Sequence, residues 1–107
     1  MRLFATPAVK ELKQQSEFIG GMHGQVHLGR LSRNDLVDVI QHQGFRSRLR
    51  AAYDAAVADV GEEKALKAAI SAARIQAEAY ARLGERNYGD VPPAAERSIR
   101  EMLGLGQ

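Results

Sequence analysis

The sequence contains no cysteine and no tryptophan, and its aromatic residues are three phenylalanines and three tyrosines. Without cysteine, the chain can form no disulfide bond, no thiolate metal site and no thiol nucleophile. Its stability must therefore come from side-chain packing or from self-association. The absence of cysteine also fits a reducing compartment.

Long apolar runs are missing as well. The N-terminal stretch MRLFATPAVKELK has one arginine and then only three apolar residues before Thr6, which is far short of a secretory signal. No window approaches the roughly 20 consecutive apolar residues of a membrane-spanning helix. We therefore expect a cytoplasmic protein that does not contact a membrane.

Neither sign of charge dominates the chain. Fifteen lysines and arginines stand against thirteen carboxylates, for a net charge of +2. This balance excludes the broad positive field of a general nucleic-acid binder, so any such function would depend on local clusters. The length of 107 residues and the hydrophobic content of 45% predict a single folded domain, residues 1–107.

The first predicted helix begins at Thr6 and Pro7, because threonine caps helices and proline is tolerated in the first turn. We expect it to end at Gly20 and Gly21. Residues 20–29, GGMHGQVHLG, contain four glycines, and such a run loses too much backbone entropy to remain helical. The sequence predicts a flexible loop here, with a short extended piece at 25–28, which acts as a plain connector or becomes ordered on a partner.

Four further helices follow from capping residues, glycine stops and apolar spacing. Their predicted ranges are Ser32 to Gly44, Phe45 to Gly61, residues 62–83, and Pro92 to Gly104. The segment 62–83 gives the strongest signal, because two glutamates open it and good helix formers fill it. The predicted fold is all-α, a small bundle of four or five helices with a long alanine-rich central helix at 62–83.

The helix over 62–83 carries two apolar lines. One line contains Leu66, Ile70, Ala73, Ala77 and Tyr80, and the other contains Ala68, Ala72, Ile75 and Ala79. A helix with two apolar lines needs two partners, and alanine lets neighbouring backbones approach closely. The sequence therefore predicts either a core helix of this chain or a protein interface formed by Leu66, Ile70, Ala73, Ala77, Tyr80 and Ile75.

The segment GFRSRLR at 44–50 places three arginines within five positions. Because each helical residue advances about 100°, Arg46 and Arg50 lie about 40° apart, whereas Arg48 lies about 200° from Arg46. Asp54 is correctly spaced for a surface ion pair with Arg50. We predict a surface for nucleic acid or an acidic partner, with a merely solvated basic face as the alternative; its residues are Arg30, Arg33, Arg46, Arg48 and Arg50.

A helix, a turn containing Gly44 and a second helix that opens with arginines have the outline of a helix-turn-helix. Such motifs keep a small residue where the two helices cross, but Val39 or Ile40 occupies that position here. Contact with phosphates alone would require only arginine and lysine, and its affinity would be sensitive to salt.

His23 and His27 have the spacing that would place two imidazoles on one helical face. The glycines around them predict a loop instead, and Gly24 stands where a zincin requires glutamate. We therefore expect no metal site, even with a third ligand such as His42. The glycine run also lacks the Gly-Lys-Ser/Thr ending and the preceding strand of a phosphate-binding loop.

No serine, histidine and carboxylate form a catalytic motif in this sequence. We expect no enzyme activity, no cofactor and no small-molecule substrate. The predicted function is a small non-catalytic protein-interaction protein: a regulator, adaptor or inhibitor of a larger assembly that self-associates into a homo-oligomer. Nucleic-acid binding by the arginines is the alternative. The alanine- and arginine-rich composition suggests a bacterial, plasmid or phage source.

Overall fold

The computed structural model describes residues 6–84 and 87–106, and the described part of the chain contains helices and no strands. The five helices are α1 (Pro7–His27), α2 (Arg33–His42), α3 (Phe45–Val60), α4 (Glu62–Ala81) and α5 (Val91–Met102). A 3₁₀ turn, Arg82–Gly84, follows α4. The predicted all-α fold of four or five helices is confirmed.

Helix α1 begins as the sequence predicts. The Thr6 hydroxyl accepts a hydrogen bond from the backbone N–H of Val9 at 3.2 Å, and Pro7 opens the first turn. The predicted end at Gly20 and Gly21 is wrong, because α1 continues through both glycines and through Gly24 to His27. The predicted flexible loop at 20–29, with its extended piece at 25–28, is therefore mostly the last two turns of a helix.

The glycines of α1 are helical because they face α4. A Cβ on Gly20 would lie 2.9 Å from the Cα of Ala73, and a Cβ on Gly24 would overlap the Tyr80 side chain. Only glycine lets the two backbones approach this closely. The contact between α1 and α4 is the most extensive helix–helix contact in the described residues, and its packing offsets the cost of glycine in a helix, about 1 kcal/mol relative to alanine.

Glycines also set the two sharp turns between α2, α3 and α4. Gly44 has φ 72° and lets α3 begin immediately after α2, and Gly61 has φ 94° between α3 and α4. Both values lie in the region that glycine adopts without the steric cost of a Cβ. At the other end of α2, the Ser32 hydroxyl accepts from the Asp35 N–H at 3.0 Å, which confirms the predicted cap.

Helix α4 contacts α1, α3 and α5. Its buried residues are all alanines: Ala65, Ala69, Ala72, Ala73, Ala77 and Ala81. The larger core side chains come from the surrounding elements, and the most completely buried are Leu12, Ile19, Leu49, Ile99 and Leu103. Small residues on α4 thus accept large residues from its neighbours, as close helix packing requires.

Helix α5 opens with Val91, Pro92 and Pro93 and ends at Met102, just before Gly104 with its φ of 70°. It contacts α1, α3 and α4, so the C-terminal part of the chain is anchored on the bundle. Among the described residues, no helix has both the length and the apolar character to cross a lipid bilayer.

Candidate functional site

Three of the predicted interface residues contribute to the contact between α1 and α4. Ala73 and Ala77 are completely buried and pack beneath the glycines of α1. The half-buried Tyr80 contacts Gly24, and its ring would lie 3.2 Å from a Cβ on Gly21. These residues form the internal contact between α1 and α4, which matches the alternative of a core helix.

The other three predicted interface residues remain at least partly accessible. Leu66 and Ile70 are half-buried and line an open groove of about 590 Å³ between α4 and α5. Glu96 of α5 accepts from Arg74 of α4 at 2.8 Å, which ties the two helices together, and from Arg100 of its own helix at 3.2 Å. Ile75 is 64% exposed, which is unusual for a large aliphatic side chain on a helix that contacts three others.

A second groove has a more apolar floor and a basic rim. It has a volume of about 490 Å³ and lies between α1, the end of α3 and α4. We call it the α1–α4 groove. Its apolar lining comprises Val9, Val60, Ala68, Ala72 and Ile75.

The rim of the α1–α4 groove carries three lysines, Lys13 from α1 and Lys64 and Lys67 from α4, together with Ser71 and one carboxylate, Glu17. The lysines are exposed. None of them forms an ion pair with a carboxylate of residues 6–84 or 87–106. The groove therefore presents apolar surface next to an excess of positive charge, an arrangement suited to a ligand that is both apolar and anionic.

No protein-family model, curated protein or solved structure matches this chain. The geometry of the chain itself is therefore the basis for its proposed function.

Two of the five predicted binding arginines contact the end of α5. The Arg50 guanidinium donates to the carbonyl oxygen of Leu103 at 2.6 Å, and that of Arg46 donates to the carbonyl oxygen of Glu101 at 3.4 Å. Arg50 also pairs with Asp54 at 3.3 Å, as the spacing predicts. Arg46 and Arg50 thus both contact the C-terminal end of α5, which belongs to the same chain.

Arg48 points to a different neighbour. Its guanidinium lies 4.5 Å above the centroid of the Phe45 ring, and the Phe45 ring centroid lies 4.5 Å from that of Phe18 on α1. Arg30 and Arg33 are exposed near the start of α2, and their side chains form no hydrogen bond with the described residues. The five arginines therefore have three different environments.

His23 and His27 lie in the helical part of α1 that the sequence predicted as a loop. Burial lowers the pKa of His23 below its ordinary value of 6.5, and the positive charges of Arg33 and Arg97 lower it further. Among the described residues, no group of three or more histidines, aspartates and glutamates is placed to hold a metal ion. His42 lies exposed at the end of α2.

The α1–α4 groove is the feature that sequence reasoning missed. The spacing in the sequence places Ile75, Ala68 and Ala72 on one apolar line of α4. The contributions of Lys13 and Val60 come from other helices. No local pattern connects them to α4, because only tertiary packing brings them together.

Proposed function

We propose that this protein is a small non-catalytic protein-interaction protein, of the regulator, adaptor or inhibitor kind, that binds its partner through the α1–α4 groove. The observation that carries the proposal is the 64% exposure of Ile75 at the wall of a groove with an apolar floor. The partner would cover Ile75 and fill the space above Ala68 and Ala72.

The energetics of this surface favour binding. Single exposed apolar side chains are common on protein surfaces, but Ile75 is continuous with further apolar groove lining. Covering it would contribute about 1–2 kcal/mol, since complete burial of an isoleucine contributes about 1.5–3 kcal/mol.

The composition of the groove supports a binding role rather than a catalytic one. Ser71 supplies its one hydroxyl, and no histidine lines it. A serine nucleophile requires a base within hydrogen-bonding distance. The lysines lie at the rim, exposed to solvent, where they suit recognition of an anionic group.

Site-specific cross-linking tests the proposal. A photo-cross-linking phenylalanine derivative would replace Ile75 in the cell that naturally expresses this chain. The control would carry the same group at Val37, which is 49% exposed and does not line the groove. We expect a discrete adduct with one protein from position 75 and none from position 37. Identical adducts from both positions, or none from either, would contradict the proposal.

Self-association is a separate proposal with a separate surface. The exposed apolar residues outside the α1–α4 groove include Leu83 and Leu105, which are 65% and 38% exposed. Light scattering over a dilution series measures the mass directly. A monomer mass at every concentration would rule out the homo-oligomer.

The geometry gives less support to nucleic-acid binding by the arginines, because Arg46 and Arg50 are engaged with α5 carbonyl oxygens. Arg30, Arg33 and Arg48 would have to provide most of the phosphate contacts. A gel-shift experiment on random duplex and single strands at low salt tests this alternative, since phosphate contacts are strongest there. A shift that persists after alanine replaces those three arginines would show that they are not the site.

A further inference from the structure

We propose that the partner seated in the α1–α4 groove is an amphipathic helix with acidic residues flanking its apolar face. This inference rests on the proposed function and specifies the chemistry of the partner. It follows from three properties of the groove: the sign of its rim charge, its size, and its poor fit to a second copy of itself.

The positive charge of the rim favours an occupant that carries carboxylates. Lys13, Lys64 and Lys67 surround an apolar floor, and Glu17 is the single acidic residue of the lining. A lysine can lay its methylene groups along apolar surface and keep its ammonium group in water. An occupant with carboxylates beside its apolar residues would pair with these ammonium groups and would also cover their methylene stems.

The size of the groove and the lysines on both of its walls suit a helix. The groove lies between α1 and α4 and holds about 490 Å³, which is space for about three aliphatic side chains, given that removing one large side chain leaves a cavity of about 150 Å³. A helix delivers this number of side chains from one face at positions i, i+3 or i+4, and i+7. Its neighbouring positions would carry acidic residues to lysines on both walls. A fatty acid has one carboxylate and could satisfy only one of the three lysines.

A second copy of the same groove is a poor occupant. A two-fold interface places each surface patch against its own copy. The three lysines of one chain would then face the three lysines of the other, and like charges brought together across an interface oppose association. The charge pattern thus favours a partner with a different, acidic surface.

A displayed peptide library measures this preference directly. The probe is a library of amphipathic helices of roughly 18 residues, about five turns, with leucine at the anchor positions and Glu, Lys or Gln at each flanking position. We expect selection on the wild-type protein to enrich glutamate at the flanks. Enrichment of lysine or glutamine, or no enrichment, overturns the proposal.

Two variants test whether the selected peptides bind in the α1–α4 groove. Ile75→Glu should weaken binding of the enriched peptide at least about tenfold, because it places a charge in the apolar contact. The double variant Lys13→Glu/Lys64→Glu changes two lysines that line this groove and not the groove between α4 and α5, and it should shift the selection to lysine flanks. Lys10→Glu makes a similar change at an exposed position outside the groove, and it should alter neither the selection nor the affinity. Equal binding by all four proteins would overturn the proposal.

The remaining outcomes separate this inference from the proposed function. A cross-linked adduct at position 75 with no glutamate enrichment would leave the proposed function standing and overturn the acidic-helix partner. Absence of both results would overturn both. Binding of laurate or of anionic vesicles without helix enrichment, or a dimer that Ile75→Glu abolishes, would identify a different occupant and overturn the inference.

Discussion

The Arg50 guanidinium donates a hydrogen bond to the carbonyl oxygen of Leu103, 2.6 Å away and 53 positions later in the chain. Arg46, one turn earlier on α3, donates to the carbonyl oxygen of Glu101. The last carbonyl groups of a helix have no partner within the helix, and they carry the negative end of its dipole. These two arginines therefore cap α5 from another helix and join the C-terminal part of the chain to α3.

This arrangement predicts that Arg50→Ala lowers the free energy of unfolding by about 1–2 kcal/mol, since a hydrogen bond from a charged donor to a partly buried carbonyl is lost. Arg46→Ala should cost less, about 0.5 kcal/mol, because its contact is longer and exposed. Urea unfolding followed by circular dichroism measures both values.

The control for these variants is Arg30→Ala, whose exposed side chain contacts no capping group. It should change stability by less than about 0.5 kcal/mol. If all three arginine variants had equal effects, general surface charge rather than capping of α5 would explain the loss.

The close approach of α1 and α4 predicts that Gly20→Ala is destabilising by about 1–3 kcal/mol, because the new methyl group would displace the Ala73 backbone. Gly21→Ala should cost less, since its methyl group meets the edge of the Tyr80 ring, which can move. Thermal unfolding of the two variants measures which substitution destabilises the protein more. In a flexible loop both substitutions would be near neutral, so equal and small effects would contradict the helical packing.

The glycine run at 20–29 is the part of the fold that the sequence alone does not predict. Caps and stops such as Ser32, Gly44 and Gly61 act within a few residues, and the boundaries that they predict agree with the structure. The cost of Gly20 in a helix is also local, but the contact that offsets it comes from Ala73, more than fifty positions away. Local composition does not contain that contact.

The same limit applies to the candidate site. The spacing on α4 showed that Ile75 lies on a second apolar line, apart from Ala73 and Ala77. It did not show which of these residues face the core, because alanine is common on both lines. The buried face of α4 takes Ala73 and Ala77 from one line and Ala72 from the other. The basic rim exists only because Lys13 of α1 lies across from Lys64.

The environment of His23 predicts a dependence of stability on pH. Burial and the neighbouring Arg33 and Arg97 place its pKa in the folded protein below the ordinary value of 6.5. Between these two pKa values the unfolded chain binds more protons than the folded chain, so the free energy of unfolding rises with pH. The contribution of His23 is complete above about pH 6.5 and is lost as the pH falls toward its folded pKa.

Urea unfolding at pH 7.5 and at pH 5.5 tests this sign. We expect the wild type to be less stable at the lower pH, and His23→Gln to reduce the difference. His42→Gln, at an exposed position, provides the matched control and should leave the difference unchanged. A difference of equal size in His23→Gln would show that other groups cause the pH dependence.

The contact between Phe18 and Phe45 predicts an energetic coupling between α1 and α3. Phe18 is 48% exposed, yet its ring centroid lies 4.5 Å from that of Phe45, over which Arg48 is stacked. Aromatic pairs at this distance contribute about 0.5–1.5 kcal/mol beyond the area that they bury. A double-mutant cycle with Phe18→Leu and Phe45→Leu should give a coupling energy in that range, because leucine keeps apolar volume and removes the ring contact. If the two effects add to within about 0.3 kcal/mol, the rings are neighbours without specific interaction, and the exposed Phe18 becomes available as a further contact for a partner.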